Sequence, residues 1–204
     1  LHDIGALKLP QLLDAEDLDD DTKEVVKKNT QETLARYGDL DEEVPRLITQ
    51  MQELYTSESD AEIPAALKES VNANILYVAD AYDRMTAMKS FEEPTSEVKA
   101  VRELLADEER YNKKIVNALI HGISILYPGV CVELTNGEKG LVVTENEDNI
   151  FEPIVLDFRN NNLYDLSDPS VKQTVEIADV MKTMDNRIKL DKNCLLYTSD
   201  AADE

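Results

Sequence analysis

The chain is short of the residues that make metal and redox chemistry easy. Its 204 residues include only two histidines, His2 and His121, two cysteines, Cys131 and Cys194, and no tryptophan. So few imidazoles limit metal ligation before any motif is considered. The cysteines stand far apart at no metal-ligand spacing, which suits a reducing compartment. No apolar run approaches the roughly eighteen residues of a membrane span, and no basic-then-apolar start marks a signal peptide. Positive charge is also scarce: 21 Lys and Arg against 43 Asp and Glu give a formal net charge of −22. That field repels nucleic acid and anionic membranes and no basic stripe offsets it, which argues against a nucleic-acid partner. A cytoplasmic chain with no membrane segment is the expectation.

What is present is a sequence with 42% hydrophobic residues, enough for one substantial core and a small second module. The longest helical pattern covers residues 64–91. There Leu67, Val71, Ile75, Val78, Tyr82 and Met85 recur at spacings of three and four, a face expected to be buried, and Pro64 suits the first turn. Asp80 and Asp83 lie three apart along the edge of that face. Such a pair can bind a cation, cap, form a salt bridge or face water.

Other helices are expected at 22–37, with Val25, Val26, Thr30 and Leu34 inward, and at 42–54, with Val44, Leu47, Ile48, Met51 and Leu54 inward. Asp21, three residues before Glu24, has capping-box spacing for the first of these, and Gly38 ends it. Ser96 caps a helix through Val98, Val101, Leu104 and Leu105. Residues 112–126 form a further one, with His121 expected at the helix surface or partly buried rather than as a ligand. At Pro128-Gly129 the period changes to two. Val130, Val132 and Leu134 alternate with polar neighbours, Asn136-Gly137 offers a type I′ turn, and strands return at 140–144 and 153–158. Cys131 reads as a small side chain on this sheet. Residues 171–181 fit a short helix or a strand alike. The expected fold is therefore mainly α: a helical bundle in 1–127, then a small antiparallel β element in 128–193.

Two resemblances add to this. Residues 194–204 look like the in-frame translation of a sequencing-library transposon adapter, which places the natural end near Asn193. The second begins at Leu1-His2-Asp3-Ile4-Gly5, followed by Leu9-Pro10. It continues with Val78-Ala79-Asp80-Ala81-Tyr82-Asp83, Met85-Thr86 and Lys89-Ser90-Phe91, and then Tyr127-Pro128-Gly129-x-x-Val132-x-Leu134-x-Asn136-Gly137-x-x-Gly140-x-Val142. In order and spacing these resemble the HD-GYP branch of the HD superfamily of metal-dependent phosphohydrolases, from Leu1 to about Val155. An HD-domain-like helical bundle is the implied fold, and the opening without Met implies a missing N-terminal part.

The resemblance implies that His2, Asp3 and Asp80 are metal ligands, with Asp3 bridging two ions, usually iron or manganese. The implied reaction is hydrolysis of cyclic diguanylate, in which clustered ligands hold cations that activate water and neutralise the phosphodiester. Several positions depart from the pattern. Asn29 replaces a histidine, Met51 and Gln52 stand at paired histidines, Ala6 replaces a lysine, and 56–63 has no counterpart of the Gly-Tyr-Pro loop. The expectation is a degenerate signalling module without phosphodiesterase turnover, with no confidently assigned catalytic residue and no cofactor. It would act through a signalling-protein partner or by sensing a cyclic dinucleotide. The alternative is a metal-dependent phosphodiesterase that uses iron or manganese, with Asp3 in its catalytic centre.

Overall fold

The computed structural model describes residues 2–12, 18–37, 39–56, 69–88 and 93–181. It is mainly α-helical, followed by a five-stranded antiparallel sheet. The helices are α1 (Asp20–Leu34), α2 (Glu43–Thr56), α3 (Val71–Thr86), α4 (Glu97–Ala106), α5 (Lys113–Ile123) and the single-turn α6 (Pro169–Lys172). Two short 3-10 helices, Ile4–Lys8 and Pro10–Leu12, precede them. The strands are β1 (Cys131–Leu134), β2 (Lys139–Thr144), β3 (Ile154–Asp157), β4 (Leu163–Asp165) and β5 (Ile177–Val180), in the spatial order β4-β3-β2-β1-β5. Among the described residues no helix is long and apolar enough to cross a membrane.

The chain divides into two compact units, one formed by Leu1–Thr95 with Glu103–Asn117, the other by Ser96–Arg102 with Ala118–Glu204. In the first, α1 buries Val26, Thr30 and Leu34, as the periodicity indicates, but Val25 is exposed. The cap is Asp19 rather than Asp21: its carboxylate accepts the Thr22 N–H at 2.7 Å, which starts the helix two residues early. The α2 helix buries Ile48, Met51 and Leu54. Gly38, residues 57–63, and 64–68 and 89–91 of the expected long helix lie outside the described residues, as do Cys194 and the tail.

The inward face of α3 is not the expected one. Val71 and Ile75 are exposed, whereas Ala73, Asn74, Tyr77, Val78 and Ala81 are buried. Small alanines let this face pack closely, Asn74 satisfies its amide on the Ser70 carbonyl at 2.8 Å, and Tyr77 stacks on Tyr111 with ring centroids 5.3 Å apart. Among the described residues, Val78 alone belongs to both the expected and the observed buried sets.

In the second unit the core gathers Val132, Leu134, Val142, Val155, Leu166 and Ile177. Ser96 opens α4 as expected, its hydroxyl accepting the Lys99 N–H at 3.3 Å. Ser124, with φ of 45°, turns the chain just after α5. The β1–β2 hairpin forms where Asn136-Gly137 indicated, by a different turn. Only Gly137 has positive φ, and its N–H bonds the Leu134 carbonyl at 2.9 Å, so the loop is three residues long and Gly137 takes the left-handed position of a bulge. Residues 171–181 hold the end of α6, a turn and short connection over 173–176 and all of β5, which pairs with β1 across a register shift at Glu133/Leu134.

Gly140 faces Asp157 across the β2–β3 ladder, and a Cβ on it would lie 2.4 Å from Val155 Cγ1 and 2.9 Å from the Leu156 carbonyl oxygen. The Val155 methyl is in the core and the Leu156 oxygen is backbone, so neither can yield cheaply. Gly140→Ala is expected to destabilise the protein by about 1–3 kcal/mol. Urea denaturation would register this as a lower midpoint at unchanged slope, and an unchanged midpoint would contradict the packing.

Candidate functional site

The opening motif is held in place by its backbone. Gly5 is buried in the 3-10 helix, and a Cβ there would lie 2.2 Å from the Val26 carbonyl oxygen and 2.5 Å from the Thr30 nitrogen, both backbone atoms of α1. Only hydrogen fits, so the turn lies directly on that helix. Thr30 Oγ1 accepts the Gly5 N–H at 3.0 Å, and its own proton is shared between the Val26 carbonyl, 2.9 Å away, and the His2 carbonyl, 3.2 Å away. From α2, Gln52 Nε2 donates to the same His2 carbonyl at 3.1 Å. Two helices thus fix the His2 backbone, and its side chain reaches a third.

On α3 the His2 imidazole meets Asp80. His2 Nε2 lies 2.8 Å from Asp3 Oδ2 and 3.1 Å from Asp80 Oδ1. Both carboxylates approach the same ring nitrogen closely enough for hydrogen bonding and for charge attraction to act together. Arg84 closes the arrangement, with Nε 2.8 Å from Asp80 Oδ2 and Nη2 3.9 Å from Asp3 Oδ2. The four side chains make a ring in which basic and acidic groups alternate. Its inner members are Asp80 and His2, 14% and 27% exposed, and its outer members are Arg84 and Asp3, 49% and 60% exposed. The Asp3 and Asp80 carboxylates raise His2 from 6.5 to about 9, against partial burial, which works the other way. At neutral pH the imidazole is held as imidazolium.

The structure therefore brings together His2, Asp3 and Asp80, the three residues singled out by the resemblance. It does not bring Asp83 to them: Asp83 is exposed while Asp80 faces inward. The helices carrying the departing positions do come to the motif. Gln52 braces the His2 carbonyl, Met51 is 2% exposed in the core, and the Asn29 carbonyl accepts from Lys8 Nζ at 3.5 Å and from Thr33 Oγ1 at 2.6 Å. His121 is exposed, as expected, and burial pushes the Cys131 thiol up, away from the reactive thiolate.

These side chains fit a two-metal centre poorly. A guanidinium covers one oxygen of Asp80, and a buried thioether is a poor donor for iron or manganese. Among the described residues no group of three or more His, Cys, Asp or Glu side chains is disposed to hold a metal ion. The Asp3 and Asp80 carboxylates both approach the His2 nitrogen. Two contributors escaped the sequence reading. Thr30 gives no signal beyond its inward position, but Arg84 stands four residues after Asp80, a spacing that pairs opposite charges on a helix. Compared with known proteins, the chain matches no family model, no curated protein and no solved structure.

Two outcomes follow from this geometry. Gly5→Ala must push the 3-10 turn off α1, so it is expected to cost at least about 2 kcal/mol; a thermal melt indistinguishable from the parent would contradict the close approach. Because the folded pKa of His2 lies above its unfolded value, its ring contacts stabilise fully below pH 6.5 and are lost as pH rises through about 9. Exposure of Asp3 to solvent screens the effect to about 1–2 kcal/mol. Denaturation midpoints should fall between pH 6 and pH 9.5, and His2→Gln should flatten that slope; equal slopes in parent and variant would exclude His2 as its source.

Proposed function

We propose that this chain is a degenerate HD-GYP-like signalling module with an HD-domain-like helical bundle. It acts in the cytoplasm by contacting a signalling protein or by sensing a cyclic dinucleotide, without phosphodiesterase turnover. One observation carries the reading: the three side chains retained at family ligand positions are engaged with one another and with Arg84 in an ion-pair ring. Met51 and Gln52, on the helix where the resemblance expects paired histidines, pack and brace instead. A two-metal hydrolase has to clamp attacking and leaving oxygens between cations about 4 Å apart, and each cation needs its own donors. The described residues supply too few.

A second reading, the metal-dependent cyclic diguanylate phosphodiesterase, is favoured by the convergence itself. Nitrogen-to-oxygen separations of 2.8 and 3.1 Å match the edge, about 3 Å, of an octahedral shell with bonds near 2.1 Å. The two readings separate in one experiment on the full chain supplied with manganese or iron(II). Metal per chain is measured by plasma mass spectrometry, and cyclic diguanylate hydrolysis by chromatography of the products. The expected result is substoichiometric metal and no hydrolysis above that of Asp3→Ala. Stoichiometric metal with turnover abolished by Asp3→Ala would overturn the proposal.

A further inference from the structure

We infer that the guanidinium of Arg84 is the resident cation of the His2–Asp3–Asp80 cluster and bars a divalent ion from it. The inference deepens the reading above and rests on it in taking these three side chains as the retained ligand positions. Three of the cluster's four carboxylate oxygens already face a nitrogen. Asp80 Oδ1 faces His2 Nε2 at 3.1 Å, Asp80 Oδ2 faces Arg84 Nε at 2.8 Å, and Asp3 Oδ2 lies 2.8 Å from His2 Nε2 and 3.9 Å from Arg84 Nη2. A divalent ion drawing on Asp80 and Asp3 together would have to sit beside a fixed positive charge.

The arginine is suited to that role. Its guanidinium does not deprotonate in proteins, so no accessible pH empties the position, and its planar fork can engage two carboxylates at once. It is delivered by the same helix as Asp80, four residues on, so the pair forms wherever α3 forms. With the arginine half exposed, exclusion is electrostatic rather than steric. The side chain has room to move into solvent, and a neutral replacement removes the cluster's permanent positive charge and frees Asp80 Oδ2. Asp80, which is 14% exposed, would then be the strongest attraction for one.

The test is a manganese titration of the full chain, with free ion read by electron paramagnetic resonance at low ionic strength. Parent protein and Arg84→Lys, which keeps the charge, should bind weakly. Arg84→Gln should bind at least tenfold more tightly, and adding Asp80→Asn should cancel the gain. Substitution at a half-exposed position is expected to leave the fold intact, and circular dichroism checks this; Arg84→Ala is the second neutral variant if the glutamine variant unfolds. Neutral variants no tighter than the parent, or a gain that survives Asp80→Asn, would overturn the inference while leaving the signalling proposal standing. Tight manganese binding by the parent would also overturn it, and the signalling proposal would fall with it only if hydrolysis accompanied the metal.

Discussion

The site depends on a contact too close for a side chain. At Gly5 the N-terminal turn meets the backbone of α1 at a distance that admits hydrogen and excludes a methyl group. This approach brings the Gly5 N–H onto Thr30 and the His2 carbonyl within reach of both Thr30 and Gln52. The consequence is positional. Once its carbonyl is tied to α1 and α2, the His2 ring has little choice but to meet α3 at Asp80.

Closure of the ring explains why Asp80 can sit so far inside. Isolated surface ion pairs contribute about 0–1 kcal/mol each, and the outer contacts through Asp3 and Arg84 belong to that class. A carboxylate at 14% exposure is different, because losing a partner leaves a desolvated charge unpaired, which costs more than the pair gains. His2 on one oxygen and Arg84 on the other avoid that cost. The ring is best understood as the means by which a mostly buried acid is tolerated.

Much of this was legible in the sequence, and the failures have physical causes. Helical period placed Ile48, Met51 and Leu54 inward on α2, and strict alternation placed Val132 and Leu134 inward on β1, because in both the larger apolar residues face the core. On α3 that assumption fails. Period defines a stripe but does not say which of two stripes is buried when alanines on the other side permit closer packing. Strand β4 is three residues long with Leu163 exposed, and β5 meets β1 through a register shift, so neither leaves a period to read. The site divides in the same way. His2, Asp3 and Asp80 could be singled out by the resemblance their motifs carry, but the Gly5 approach and the Gln52 brace are tertiary facts with no local trace. Arg84 carries no mark in the sequence beyond an ordinary i−4 acidic neighbour, Asp80.

Charge accounting connects the ring to the proposed role. A divalent ion with a neutral imidazole would bring two positive charges to Asp3 and Asp80; an imidazolium with a guanidinium brings the same two. In a chain of net charge −22 either arrangement quiets a local excess of acid, so the cluster can persist with side chains as its only cations. Electrically the two are close substitutes, but chemically they are not. A metal ion concentrates its charge at a point, gathers oxygen atoms around it and acidifies bound water, whereas a guanidinium spreads one charge over a plane of hydrogen-bond donors and has no orbital to accept a lone pair. The carboxylates, with His2 and Arg84, join the opening turn to α3, while Thr30 and Gln52 tie the same turn to α1 and α2 through the His2 carbonyl.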